Sequence, residues 1–139
     1  MGTQRPQGRA AVSGRVYVYR NLNTGTWSVR ALDGPRRGLV IAHPAEVVLR
    51  DAAFLVSAAG RARVLRTGVR NVHAGVAGYV APRSRLTAAE AFVAVTYNPR
   101  RNATFVSVPS GAPVARAALV HFPAQPRRGS VPLRAWGAA

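Results

Sequence analysis

An alternation of residue types recurs from residue 15 onward and predicts a chain made mainly of strands. In RVYVYRN (15–21), valines alternate with tyrosines, which is the two-residue period of a half-buried strand. The segments NTGT (23–26) and DGPRRG (33–38) place Asn, Gly and Pro where the backbone is expected to reverse. The predicted strands are RVYVYRN (15–21), WSVRAL (27–32), LVIAH (39–43), AEVVLRDAAFLVS (45–57) as one bent strand or two, and VRNVHAGVAGYVA (69–81).

One helix is expected directly after the fourth of these runs. Ser57 is a favoured N-cap residue for the segment AAGRARVLRTG, and Gly68 is a typical stop. On that helix, Ala58, Ala62 and Leu65 form a small apolar stripe. The helix therefore has one modest face with which it can pack.

The segment LTAAEAFV (86–93) supports two interpretations. Thr87 and Glu90 match a helical capping box. The same run continues into AFVAVTY, which alternates like a strand. In the strand predicted just before it, Gly75 and Gly78 allow a bulge or a close backbone approach.

A weak internal repeat bears on the fold class. VYRNLNTGTWSV (18–29) and VTYNPRRNATFVSV (95–108) both place Asn three residues after Val and continue through a polar turn to Thr and an aromatic residue. If the repeat is real, the chain contains two similar β-meanders joined through residues 57–81. The predicted class is mainly β (α+β): a small β-barrel, which would remove exposed strand edges, or a curled antiparallel sheet, with one short helix.

The length of 139 residues corresponds to a single domain. Residues 1–14 and 123–139 are polar, rich in Gly or Pro and without a period, and they are interpreted as flexible basic arms around a globular domain at 15–122. Trp136 in the second arm is expected either to dock on the domain or to stack on a base. There is no apolar run of about 20 residues, no secretory signal and no cysteine, so the cytoplasm is the expected location.

The charge balance is the strongest functional signal. Twenty basic residues, all of them arginine, face four acids, which gives a net charge of +16. A GC-rich coding sequence explains the choice of arginine over lysine, but it does not explain the shortage of acids. Such an excess favours a polyanionic partner, most simply RNA or DNA, because neutralising phosphates releases counterions.

Candidate contact residues are arginines close to aromatic side chains or clustered on the predicted helix. Proteins that bind single-stranded nucleic acid use arginines to contact the phosphate backbone and aromatic rings to stack on the bases. By alternation, Tyr17 and Tyr19 share one face of their strand and Val16 and Val18 the other, and the core is the favoured position for the tyrosines. The candidate nucleic-acid-binding residues are Arg20, Arg30, Arg61, Arg63, Arg66, Arg70, Arg100 and Arg101; of these, Arg63, Arg66 and Arg70 would share one face if the helical turn continued to 70.

His73 is the one candidate for catalysis. In NVHAG it is most simply a strand histidine that satisfies a neighbouring carbonyl group. Paired with the arginines at 61–70, it would instead act as a general acid or base in metal-independent RNA cleavage. The second acid–base group would come from His43, His121, Tyr79 or Glu46, if the fold brings one of them near. The acids are scattered and the histidines widely spaced, so no metal site and no cofactor are predicted.

Three segments together resemble small accessory proteins encoded by phages and prophages. They are YRNLNTGTWSVRALDGPRRGLVIAH, GRARVLRTGVRNVHAGVAG and VTYNPRRNATFV, and the resemblance spans roughly residues 16–122. It implies a phage or prophage origin and assigns no role to any residue.

The interpretation best supported by the sequence is a non-enzymatic, nucleic-acid-binding accessory protein that grips phosphates through an arginine-rich surface. Three alternatives stay open. They are an anti-defence or host-takeover inhibitor that binds a host protein or ribonucleoprotein, a ribonuclease that uses His73, and a structural protein of the virion or nucleoid.

Overall fold

Nine strands and one α-helix form the part of the chain that a computed structural model describes, residues 14–86 and 91–139. All strand pairs are antiparallel and belong to one sheet with the order β3-β2-β1-β5-β4-β8-β9-β6-β7. The elements are β1 (Arg15–Arg20), β2 (Trp27–Ala31), β3 (Val40–Ala42), β4 (Val47–Val56), α1 (Ala58–Thr67), β5 (Ala74–Val80), a 3₁₀ turn (Arg83–Arg85), β6 (Val93–Thr96), β7 (Val106–Ser107), β8 (Arg116–Phe122) and β9 (Leu133–Trp136).

The sheet curls around a core on its inner face without closing into a barrel. Trp27 of β2 packs against Phe122 of β8 with ring centroids 5.1 Å apart, and Phe54 of β4 packs equally close to Phe105 beside β7. Each pair joins strands that are several positions apart in the sheet order. The structure thus confirms the mainly β class, in its curled-sheet form.

The strand order reads almost the same from either end. β4 and β8 pair at the centre, β5 and β9 flank them, and β1 with β2 corresponds to β6 with β7. Registers agree as well: Val18 of β1 faces Val76 of β5, and Val95 of β6 faces Leu133 of β9. The repeat seen in the sequence therefore corresponds to two four-strand units. Residues 57–81, predicted to join the units, instead contain α1 and β5, and β5 pairs with β1 and β4 inside the first unit.

The turns at the start of the two units are also equivalent. The side-chain Oδ1 of Asn21 accepts hydrogen bonds from the backbone N–H groups of Asn23 (2.8 Å) and Thr24 (3.0 Å). The Oδ1 of Asn98 accepts one from the N–H of Arg100 at 2.9 Å. This use of a side-chain amide to shape a turn explains why Asn recurs at that place in the repeat.

Helix α1 has the predicted ends but a different packing face. The Oγ of Ser57 accepts a hydrogen bond from the N–H of Gly60 at 3.1 Å, and Gly68 ends the helix in the left-handed conformation. Val64 is the buried residue of α1, whereas Leu65 is 45% exposed. The predicted stripe of Ala58, Ala62 and Leu65 is wrong, because α1 approaches the start of β5 through Gly60, where a Cβ would lie 2.4 Å from the Cβ of His73.

Both glycines of β5 have the predicted role of admitting a close neighbour. A Cβ on Gly75 would lie 2.5 Å from the ring of Tyr17 and 2.6 Å from the carbonyl oxygen of Val18. A Cβ on Gly78 would lie 2.8 Å from the carbonyl oxygen of Arg50. The second approach occurs where β4 shifts its register against β5.

The C-terminal segment differs from its prediction as a flexible arm. Residues 133–136 form β9, which lies between β8 and β6, and Trp136 is buried. Three apolar residues within four positions were too few to reveal the period of a strand in the sequence. In the structure they are buried between β8 and β6, and this is enough to stabilise a strand. The predicted arm before residue 14 and the capping box of Thr87 and Glu90 fall on residues outside those described here.

Candidate nucleic-acid interface

Little of the positive charge is neutralised within residues 14–86 and 91–139. Among these residues, two arginines form ion pairs: Arg50 with Asp51 and Arg83 with Glu46, both at 2.8 Å. The second pair also includes His121, whose Nε2 lies 2.8 Å from Glu46. The other guanidinium groups of the described chain are held by uncharged partners or point to solvent, which leaves a strongly positive surface.

Helix α1 and the turn between β6 and β7 form one exposed basic group. Arg63 and Arg66 are exposed on α1, three positions apart. Arg61 is half-buried, and its Nε donates to the carbonyl oxygen of Pro99 at 3.0 Å. That bond places α1, which carries Arg63 and Arg66, next to the turn in which Arg100 and Arg101 are exposed.

Two other predicted arginines, Arg20 and Arg70, lie elsewhere. Because Gly68 ends the helix, Arg70 is not on the helical face of Arg63 and Arg66. Arg70 and Arg20 instead line a cavity on the inner side of the sheet. The guanidinium of Arg20 donates to the side chain of Gln125 and the carbonyl of Gly129, both at 3.3 Å.

Tyrosines and arginines alternate on the outer face of the sheet. Val16 and Val18 are in the core, so Tyr17 and Tyr19 point outward; the prediction that favoured the core for these tyrosines is wrong. The guanidinium carbon of Arg30 lies 5.1 Å from the ring centroid of Tyr17 and 5.8 Å from that of Tyr19. The two rings are 5.7 Å apart.

A second row on the same face was not predicted. Arg15 of β1 faces Tyr79 of β5, which faces Arg50 of β4, whose guanidinium carbon lies 4.6 Å from the ring of Tyr79. The three positions are far apart in sequence, and only the strand pairing brings them together. We call Arg15, Tyr17, Tyr19, Arg30, Arg50 and Tyr79 the tyrosine–arginine face.

The ring of Tyr17 packs against the sheet. Gly75 makes room for it, and the neighbouring Ala77, on the same face, is fully buried. Burial raises the pKa of the Tyr17 hydroxyl, and the nearby Arg30 opposes this in part. The ring of Tyr17 is therefore packed against the floor of this face.

His73 lies at a cavity of about 280 Å³ on the inner side of the sheet, together with Asn71 and Tyr97. Its Nδ1 lies 2.9 Å from the side-chain oxygen of Asn71 and 3.2 Å from the carbonyl oxygen of the same residue. Both partners are acceptors, so Nδ1 carries the proton and Nε2 accepts from the hydroxyl of Tyr97 at 2.7 Å. Burial raises the pKa of that hydroxyl, and Arg61 opposes this in part.

The side chain hydrogen-bonded to Nε2 of His73 is thus one that sequence reasoning did not name as its partner. Tyr79 lies on the outer face, His121 binds Glu46, and His43 lies 3.4 Å from Ser28; none of the four predicted partners is the neighbour of His73. Tyr97 was not among the predicted partners. Within the described residues, no three His, Asp or Glu side chains come together as metal ligands.

The class of protein defined by this fold and surface is a curled antiparallel sheet with strongly basic exposed faces. The described part of the chain has no helix whose length and hydropathy would suit a membrane span. A family model described as Mycobacterium phage L5 gene 82 protein matches residues 9–128, so the chain belongs to this family of phage proteins. The phage origin implied by the sequence resemblance is confirmed.

A relative in the same family is similar over most of both chains. The gene 82 protein of Mycobacterium phage L5 is 36% identical over 114 residues, which cover 78% of this chain and 89% of that relative. No solved structure matches the chain.

Proposed function

We propose that this phage protein binds nucleic acid, gripping the phosphate backbone through its arginine-rich surface. The observation that carries the proposal is the exposed basic group on α1 and the β6–β7 turn, within a described chain that offers few acids to pair with it. Arginine forks match phosphate oxygens, and each phosphate neutralised releases counterions. Binding of this kind needs neither a cofactor nor a catalytic group.

The test is a gel-shift series with labelled single- and double-stranded RNA and DNA at low and moderate salt. The Arg63→Ala/Arg66→Ala/Arg100→Ala variant is compared with Arg36→Ala/Arg37→Ala/Arg85→Ala, which removes the same charge from other exposed positions. We expect the affinity for nucleic acid to fall as the salt concentration rises. We also expect the first variant to lose more affinity than the second, because it lacks Arg63 and Arg66, the exposed arginines of α1. Absence of any shift at low salt would refute nucleic-acid binding and favour an inhibitor that binds an acidic host protein.

Metal-independent RNA cleavage is a second candidate, favoured by one observation. The hydroxyl of Tyr97 lies 2.7 Å from Nε2 of His73, with Arg61 close enough to influence its pKa. In such a reaction Nε2 of His73, through the Tyr97 hydroxyl bonded to it, would take the proton of the ribose 2′-hydroxyl as the 2′-oxygen attacks phosphorus; a 2′,3′-cyclic phosphate would form, and water would protonate the leaving 5′-oxygen. Shortened RNA in the wild-type lanes that stays intact with His73→Ala and Tyr97→Phe would support it; intact RNA throughout would refute it.

A further inference from the structure

We propose that the tyrosine–arginine face is a stacking site for single-stranded nucleic acid. This inference rests on the proposed function and deepens it, because it names the form of the ligand and a second surface. Base stacking on aromatic rings beside backbone-binding arginines is the general means by which proteins hold single strands.

The positions on this face alternate between ring and cation across neighbouring strands. Arg30 lies beside Tyr17, and Tyr79 lies between Arg15 and Arg50. Adjacent strands are about 4.8 Å apart, so the row of three spans about 10 Å across the sheet. A single strand that crosses the sheet meets a ring and a guanidinium in turn.

In the free protein, guanidinium groups occupy the ring faces on which a base would stack. Arg30 lies over Tyr17, and Arg50 lies over Tyr79 at 4.6 Å from its centroid. A cation–π contact at an exposed site contributes about 0.5–1 kcal/mol, whereas a base stacked on an aromatic ring contributes about 1–3 kcal/mol. A base therefore displaces the guanidinium from the ring, and the released guanidinium can bind the adjacent phosphate.

Charge and shape favour a single strand over a duplex on this face. Its cations are Arg15, Arg30 and Arg50. Among the described residues, two acids lie beside them: Asp51, which pairs with Arg50, and Asp33, whose Oδ2 accepts from the backbone N–H of Arg15 at 3.2 Å. The floor next to the rings consists of small residues, Gly75 and Ala77. A duplex keeps its base faces inside the stack, so only an unpaired strand presents them to tyrosine rings.

The test measures the affinity of the full chain for oligo-dT, oligo-rU and a mixed-sequence duplex over a salt series. Tyr19→Leu/Tyr79→Leu removes two rings and keeps apolar bulk; Phe92→Leu, an exposed ring outside the face, is its control. Arg30→Gln/Arg50→Gln removes two cations, with Arg36→Gln/Arg37→Gln as the control of equal charge. Thermal unfolding of every variant shows that it is folded.

We expect the tyrosine variant to bind single strands at least about fivefold more weakly for each ring removed, with duplex affinity and salt slope unchanged. The Arg30/Arg50 variant should lower the magnitude of the single-strand salt slope by about 1.4, since each phosphate contact contributes about 0.7. If the folded tyrosine variant keeps full single-strand affinity, or loses affinity for strand and duplex alike, the stacking site is refuted while the proposed function stands. If the wild type binds no nucleic acid at low salt, both fail together.

Discussion

At the scale of single residues, Gly75 decides whether Tyr17 can lie against the sheet. Gly75→Ala would place a Cβ 2.5 Å from the Tyr17 ring and 2.6 Å from the Val18 carbonyl oxygen. The backbone oxygen cannot turn away as a side chain can, so we expect a loss of about 1–3 kcal/mol in the free energy of unfolding. Urea denaturation measures it, with Thr96→Ala at an exposed strand position as the control. A loss no larger than that of the control would contradict this close contact.

The second residue-scale prediction concerns Glu46. The hydrogen bond from His121, with Arg83 as a further partner, lowers the pKa of the Glu46 carboxyl. A carboxyl whose pKa is lower in the folded than in the unfolded state stabilises the fold above its unfolded value of about 4.3, and this contribution is lost as the pH falls through the folded value.

Wild type should therefore lose more stability than Glu46→Gln as the pH falls from about 5 to about 3. Urea denaturation at a series of pH values gives the difference between the two curves, and Asp51→Asn, which removes an exposed acid, serves as comparison. Parallel curves for wild type and Glu46→Gln would show that the carboxyl is not stabilised in this way.

At the scale of elements, the cap of α1 is the contact whose removal should affect one element most directly. Ser57→Ala leaves the N–H of Gly60 without its side-chain acceptor. We expect a loss of about 1 kcal/mol in the free energy of unfolding. Ser84→Ala, an exposed serine inside the 3₁₀ turn rather than at its N-cap, should change it by less than about 0.5 kcal/mol. Equal effects would mean that the Ser57 hydroxyl contributes nothing to the helix.

Elements with a strong local signal were predictable, and those that depend on neighbours were not. The alternation in β1 and the Ser57 and Gly68 ends of α1 were read correctly from the sequence. The packing face of α1 was not predictable from the sequence. Gly60 allows His73 to approach the helix closely, and this contact, rather than the stripe of Ala58, Ala62 and Leu65, sets the face that packs. β9 was missed for a similar reason: a four-residue strand has too few positions for a period, and pairing with β8 and β6 stabilises it.

At the scale of the whole molecule, the two four-strand units depend on each other. Trp27 of the first unit packs on Phe122 of the second, and Phe105 of the second packs on Phe54 of the first, at the same centroid distance. The core is thus shared between the units rather than divided into two. This reciprocal packing implies that the described sheet unfolds as one cooperative unit.

Removal of residues 123–139 tests this dependence. The deletion takes away β9, whose Leu133, Ala135 and Trp136 are buried, and with it the strand that joins β6 and β7 to the rest of the sheet. We expect the truncated chain to lose the cooperative unfolding transition in a urea titration monitored by circular dichroism. Arg127→Ala/Arg128→Ala changes two exposed positions of the same segment and should leave the transition unchanged. A truncated chain that unfolds cooperatively would mean that β9 is dispensable.

The sequence by itself determined the mainly β class, the ends of the helix, the repeat and the excess of positive charge. Each of these is a local or compositional property, set by residue type and spacing within a few positions. Only the tertiary structure decided which arginines share a surface, that Tyr97 is the partner of His73, and that the tyrosines face outward beside Arg30 and Arg50. Those relations depend on strand register and on the curl of the sheet, which bring together residues that are distant along the chain.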